Sequence, residues 1–107
     1  MQLTLRQRLG LDAVTALQKG SRKEVRIYKD ILDKLEVTNE IRDQAFHILP
    51  SGQVIEDVEL LDGSPIEVAF EKEERRRLLE LIDAFTHFGP KDSTWVDPVA
   101  RELEKLL

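Results

Sequence analysis

The two histidines are the side chains best suited to metal binding or proton transfer, and neither belongs to a larger motif. Asp43 and His47 lie four residues apart, a spacing that places two metal ligands on one face of a helix. The chain offers no second pair, and the predicted helix ends before His47, so we interpret this histidine as structural. His87 lies near the end of another predicted helix, where it complements the negative end of the helix dipole.

Carboxylates are numerous, and a pair such as Glu71 and Glu74 has the residue types of a general acid and base. Catalysis requires one carboxyl group to be desolvated in a cleft, so that its pKa rises. The sequence predicts no cleft, and these two glutamates open a helix, where the dipole favours negative charge. There is no glycine-rich phosphate loop, no Gly-x-Ser-x-Gly motif and no cysteine. We therefore predict a protein that is not an enzyme and has no cofactor or metal.

Length and composition indicate a single folded domain over residues 1–107. Hydrophobic residues make up 41% and charged residues 35%, which is typical of a globular chain and not of a disordered one. The N-terminus lacks a long apolar segment, and no run approaches the roughly 18 apolar residues of a membrane span. A cytoplasmic location without a membrane partner is the expectation.

The net charge of −5 is unevenly distributed along the chain. Residues 1–53 hold nine Lys or Arg and seven Asp or Glu, whereas residues 54–107 hold seven and 14. Positive charge is concentrated in residues 19–29 and negative charge in residues 54–74. Such a dipolar surface suits a charged partner or self-association, and an ordinary solvated surface explains it equally well.

Capping boxes predict the first two helices. Thr4 and Gln7 open a leucine-rich helix that should end near Lys19-Gly20, and its apolar residues extend around more than one side. That width is explained by burial in the core or by contact with a second subunit. Ser21 and Glu24 open the next helix. Its inward residues are predicted to be Val25, Tyr28, Ile31, Leu32 and Leu35.

The outward side of the second helix carries four basic residues in its first two turns. Positive charge at a helix N-terminus opposes the dipole, so these side chains bring no evident benefit to folding. We therefore predict that they bind a partner, with a solubilising surface as the alternative. The predicted partner-binding residues are Arg22, Lys23, Arg26 and Lys29.

The remainder of the chain predicts a third short helix capped by Thr38, then strands and two helices. Residues 54–61 and 66–70 alternate around an Asp-Gly-Ser-Pro turn, which predicts an acidic hairpin, with residues 46–49 as a candidate third strand. A central helix over 71–88 should end at Gly89-Pro90, and a last helix should begin at Asp97-Pro98. The fold class is α+β and mostly helical: three helices, a hairpin and two helices.

This order of elements is also that of a winged-helix DNA-binding protein, whose third helix enters the major groove. The third helix here is nearly neutral, and the predicted acidic hairpin would repel phosphate. Arg75-Arg76-Arg77 is a second basic cluster, but it lies among acidic residues. A winged-helix-like nucleic-acid-binding protein is therefore the alternative function, and the less favoured one.

Two stretches carry a resemblance to a protein family: the first half, from LTLRQRL through Lys19-Gly20-Ser21 to ILDKLEVTNEI, and the later IEVAFEKEERRRLLELI. Both resemble small proteins encoded by tailed phages and prophages. In those proteins a leucine-rich helix, a Lys-Gly turn, a second helix, a hairpin and a final helical pair recur. The resemblance implies a small α+β domain of phage-type origin and brings no activity or functional residue with it.

By elimination we predict a non-catalytic phage-type binding or regulatory protein that acts through protein–protein contacts. Its partner is an unidentified protein or a second copy of the chain. A homodimer is expected from the wide apolar surface of the first helix and from the complementary charges of the two halves.

Overall fold

Six helices and four short strands follow one another in a computed structural model that describes residues 1–107. They are β1 (Gln2–Leu3), α1 (Leu5–Ala16), α2 (Arg22–Leu35), α3 (Asn39–Ala45), β2 (Phe46–Ile48), β3 (Val54–Glu56), α4 (Val58–Leu61), β4 (Ile66–Glu67), α5 (Lys72–Ala84) and α6 (Ser93–Leu106), with a 3₁₀ turn at Pro90–Asp92. The chain is 63% helical, which confirms the mostly helical α+β class.

Helix α1 begins at its predicted capping box and is the element around which the other helices pack. The backbone N–H of Thr4 donates to the Gln7 side chain at 2.9 Å, and the Gln7 N–H donates to the Thr4 hydroxyl at 3.3 Å. The helix ends at Ala16, before the predicted Lys19-Gly20, because the Gln18 side chain and backbone bond the carbonyls of Val14 and Thr15. α1 packs against α2, α4, α5, α6 and β1, which buries Leu5, Leu11 and Val14 within one chain, whereas Ala13 and Leu17 stay exposed.

The main core joins α1, α2, α5 and α6. Leu78, Leu81 and Ile82 of α5 are buried in it. α5 ends at Ala84 and not at Phe88, because the backbone is extended from Phe85 onward. The rings of Phe85 and Phe88 still pack against the core, and their centroids lie 4.6 Å apart. The two side chains therefore contact the core although they lie beyond the end of the helix.

The predicted pairing of residues 54–61 with 66–70 is wrong. The hairpin is formed by β2 and β3, with Phe46 opposite Glu56 and Ile48 opposite Val54. Residues 57–61 form the helical turn α4, because the Asp57 carboxylate accepts the Leu60 N–H at 3.1 Å and so caps a helix. β4 pairs instead with β1, at the other end of the sequence. Local capping by Asp57 overrides an alternation that was already imperfect.

Helix α6 begins at Ser93, not at Asp97-Pro98, so Trp95 lies on a helix and not in a loop. The 3₁₀ turn supplies the earlier start: the Ser93 hydroxyl donates to the Pro90 carbonyl at 2.9 Å, and the Thr94 hydroxyl donates to the Lys91 carbonyl at 3.0 Å. Pro98 lies inside the helix, where its missing N–H leaves the Thr94 carbonyl without its helical donor. The buried residues of α6 hold it in place despite the proline: Trp95, Val96, Val99 and Leu103.

A second, smaller apolar cluster attaches α3 and α4 to the first turns of α1. Leu5, Ala45 and Leu61 are buried there, and Phe46 at the base of the hairpin packs against them. α3 therefore packs against α1, α4 and β2. This places the hairpin beside the start of α1.

Candidate functional site

The four predicted partner-binding residues lie together on the exposed side of α2, and we call this surface the basic face. Arg22, Lys23, Arg26 and Lys29 are all exposed. Lys29 pairs with Asp33 at 3.1 Å, but both side chains are mostly exposed, so the pair contributes little. Arg22, Lys23 and Arg26 have no ion-pair partner in the chain. Their positive charge is available to another molecule.

Glu24, the one acidic residue in the first turn of α2, is already engaged elsewhere. Its carboxylate accepts the backbone N–H of Ser21 at 3.2 Å and lies 3.7 Å from an Arg77 nitrogen on α5. The hydrogen bond from the Ser21 backbone is the main reason that the pKa of Glu24 is lowered from its ordinary value. Glu24 thus stays charged to stabilise the helix start, and it leaves the neighbouring cations uncompensated.

Val25 was predicted to face the core, and this prediction is wrong. Its side chain is 46% exposed and lies among the four basic residues. The inward residues of α2 are Tyr28, Ile31 and Leu35, so the buried stripe begins one turn later than the sequence indicates. The basic face therefore has an apolar centre, a combination suited to the rim and core of a protein contact.

The acidic residues of the second half do not form the single acidic hairpin that the sequence predicts. Each of several carboxylates stabilises a different part of the fold. Asp62 and Glu56 bind Arg6, Asp57 caps α4, Glu67 binds the Met1 amino group, and the buried Glu74 binds Lys34. Glu74 also accepts the Glu71 N–H at 2.7 Å, so the pair considered as an acid and base has a structural role.

The β2–β3 hairpin is a second candidate surface, and we call residues 46–56 the arm. Its two strands pair only with each other, and α3 runs directly into β2. The side chains of Ile48 and Val54 are 76% and 53% exposed, and Leu49 and Ile55 are also exposed. An isolated two-stranded hairpin is marginally stable in water, so an arm this apolar has a reason to be covered.

Beside the arm lies an open groove of about 1140 Å³, which we call the α1 groove. Arg6, Leu9, Gly10 and Ala13 line it from one face of α1. Other lining residues come from the base of the arm and from the segment around the 3₁₀ turn: Arg42, Phe46, Glu56, Leu61, Gly89, Pro90, Lys91, Asp92, Thr94 and Trp95. The groove is open to solvent, and its lining combines apolar and charged side chains.

Most charged groups that line the α1 groove are paired within the protein. Arg6 donates to both carboxylate oxygens of Asp62, at 2.8 and 3.2 Å, and to Glu56 at 3.2 Å. The hydrogen bond to Asp62 is the main cause of the raised pKa of Arg6. Arg42 pairs with Asp12, and the Asp92 carboxylate accepts N–H groups of Gly89 and Trp95. The groove is therefore better suited to an uncharged segment than to an anion.

His47 lies within the arm, and His87 lies outside the basic face, the arm and the α1 groove. α3 ends at Ala45, so Asp43 and His47 lie in different elements and the helical ligand spacing does not apply. His47 is exposed on β2 opposite Ile55. His87 lies in the loop after α5 with its ring edge-on to Phe85, 5.6 Å between centroids, and not in the last turn of the helix as predicted.

The structure differs from a winged helix at both elements that would touch DNA. α3 packs against α4 and α1, so the α2–α3 pair does not form the packed helix-turn-helix unit. The arm, which occupies the position of a wing, contains no lysine or arginine. The predicted hairpin was acidic, whereas the hairpin that forms has one acidic residue, Glu56.

The fold and these surfaces describe a small, mostly helical α+β domain with an exposed basic helix and an exposed arm. No helix combines the length and the apolar character needed to cross a bilayer. Comparison of the chain with protein-family models, curated proteins and solved structures finds no match. The phage-type resemblance of the sequence stays a prediction.

Proposed function

We propose that the protein is a non-catalytic, phage-type binding or regulatory protein, located in the cytoplasm, that captures an acidic segment of another protein through its basic face. The observation that carries this proposal is the uncompensated charge of Arg22, Lys23 and Arg26. The only acidic side chain in that turn, Glu24, is committed to Ser21 and Arg77. Arg22 and Lys23 lie in the first turn of α2, where positive charge opposes the helix dipole, so a binding role accounts for them better than a role in folding does.

An acidic protein segment fits the basic face better than nucleic acid does. Arginine at positions 22 and 26 favours directional, bidentate bonds to carboxylates, and the exposed Val25 among them offers an apolar contact. Duplex binding draws affinity from many phosphate contacts. Here the available cations cover about two turns of one helix, and the net charge of the chain is −5, which opposes close approach of a polyanion elsewhere.

The test compares two labelled probes by fluorescence anisotropy at about 150 mM salt: an acidic peptide of alternating glutamate and leucine, and a DNA duplex. We expect the peptide to bind, and Arg22→Glu with Arg26→Glu to weaken it at least about tenfold. The matched control is Arg76→Glu with Arg101→Glu, which reverses two exposed, unpaired arginines on α5 and α6. This control should keep most of the affinity.

Two outcomes contradict the proposal. Equal loss in the control variant means that the peptide responds to net charge and not to the basic face. A nanomolar, sequence-dependent complex with the duplex supports the winged-helix alternative instead.

A further inference from the structure

The arm and the α1 groove lie side by side, and both leave apolar side chains exposed. Residues directly opposite each other in an antiparallel pair share a face. Ile48 and Val54 therefore lie on the same face of the arm as Phe46, which packs into the second apolar cluster and lines the groove. The apolar face of the arm begins in the groove at Phe46 and continues to Ile48 and Val54, which the rest of the chain leaves exposed.

The arm has the chemistry that the groove accepts. Residues 48–55 carry no charged side chain, and four of them are large exposed hydrophobics: Ile48, Leu49, Val54 and Ile55. The groove presents the partly exposed Leu9 and Phe46 and the small residues Gly10 and Ala13. Its arginines, Arg6 and Arg42, are already paired with carboxylates of the same chain. The uncharged residues 48–55 can therefore enter the groove without breaking these ion pairs.

A second copy of the chain satisfies both surfaces at once. In a two-fold dimer, each copy offers its arm to the groove of the other copy. Such a contact is isologous and closed, so it yields a dimer and not a filament. Each contact is also made twice, so the buried area is double that of one arm in one groove. A stable interface buries roughly 1,200–2,000 Å² in total.

We propose that the protein forms a homodimer in which the arm of each copy inserts into the α1 groove of the other. This goes beyond the proposed function and does not depend on it, since the basic face lies on α2, outside both surfaces. Of the apolar residues of α1, Leu9 and Ala13 line the groove, whereas Leu5, Leu11 and Val14 are buried within the chain.

Sedimentation equilibrium across a dilution series reaching about 1 mM tests the dimer. We expect wild-type protein to approach twice 12.4 kDa. Ile48→Lys in the arm and Ala13→Arg in the groove should each weaken dimerisation at least about tenfold. Both positions are exposed, so thermal midpoints should stay near that of wild type. Leu17→Lys is the control, because Leu17 is 67% exposed but lies outside both surfaces.

Mixing the two variants distinguishes exchange of arms from simple stacking. An Ile48→Lys chain keeps an intact groove and an Ala13→Arg chain keeps an intact arm, so their heterodimer regains one of the two contacts. We expect the mixture to associate more tightly than either variant alone. A monomer at all concentrations overturns the proposal, and so does a mixture no tighter than its components. A loss of dimer in Leu17→Lys as large as in Ile48→Lys overturns it as well.

Discussion

Glu36 is the only residue other than glycine with a left-handed backbone, with φ of 53° and ψ of 39°. It caps the C-terminus of α2, a position where glycine is favoured because a β-carbon is strained there. Arg8 secures this end by donating to the carbonyls of Leu35 and Glu36, at 2.9 and 3.1 Å. The strain at Glu36 is therefore offset by a buried arginine on the neighbouring helix.

Replacing Glu36 by Gly should stabilise the protein by about 0.5–1 kcal/mol relative to Glu36→Ala. Alanine is the correct reference, because both changes remove a carboxylate from the negative end of the α2 dipole and only glycine removes the β-carbon. Chemical denaturation of the two variants measures the difference. Equal stability of the two variants would show that the left-handed conformation costs nothing here.

At the scale of elements, α1 and α6 approach closely through Gly10. A β-carbon placed on Gly10 would lie 2.5 Å from Cη2 and Cζ2 of Trp95. The Trp95 indole is itself fixed, because its N–H donates to Asp92 at 3.2 Å and its ring lies edge-on to Phe88. The distance between the two helices is thus set by the absence of one methyl group.

Gly10→Ala should destabilise the protein by about 1–3 kcal/mol, even though alanine is the better helix former. The methyl group must displace either the indole or the whole of α6. Trp95→Phe replaces the indole that the methyl group would contact. The double variant should therefore lose less stability than the sum of the losses in the two single variants. Thermal or urea unfolding of the four proteins decides this. A neutral or stabilising Gly10→Ala would mean that the two helices can move apart freely.

How far the sequence predicts these elements depends on the range of the interactions that fix them. The caps at Thr4, Ser21 and Thr38 are confirmed, because a cap is made by residues three apart. The strand pairing was wrong because β1 and β4 are more than 60 residues apart, and nothing in either two-residue strand specifies its partner. The predicted start of α6 at Asp97-Pro98 was wrong, because the packing of Trp95 and Val96 outweighs the local cost of a proline inside the helix.

The same distinction separates the two candidate surfaces. The exposure of the four basic residues was predicted correctly because all four lie on one helix, where the spacing in the sequence determines which residues are adjacent. The exposed Val25 among them was not predicted. The α1 groove was not predicted, because Arg6, Phe46 and Trp95 come together only after folding. The arm was predicted in part: residues 46–49 were a candidate strand, and the apolar pairs 48–49 and 54–55 lie on either side of the Pro-Ser-Gly turn.

At the scale of the whole molecule, the basic side chains fall into two groups. Arg6, Lys34 and Arg42 each bind a carboxylate on a different element and so hold the fold together. Arg22, Lys23 and Arg26 bind nothing within the chain. Part of the positive charge of the chain thus stabilises the fold, and the three unpaired side chains of α2 lie together on one surface, which is the basis for assigning that surface a role in binding.

Charge reversal should therefore have opposite consequences in the two groups. Arg22→Glu with Arg26→Glu should change stability by no more than about 0.5 kcal/mol, because no partner is lost. A slight rise is expected, since Arg22 lies at the positive end of the α2 dipole. Lys34→Glu makes the same chemical change beside the buried Glu74 and should cost at least about 2 kcal/mol. Thermal unfolding at about 150 mM salt, where distant charges are screened, measures both. If the α2 reversals were as costly as Lys34→Glu, the basic face would be part of the folding machinery, and its assignment to partner binding would lose its main support.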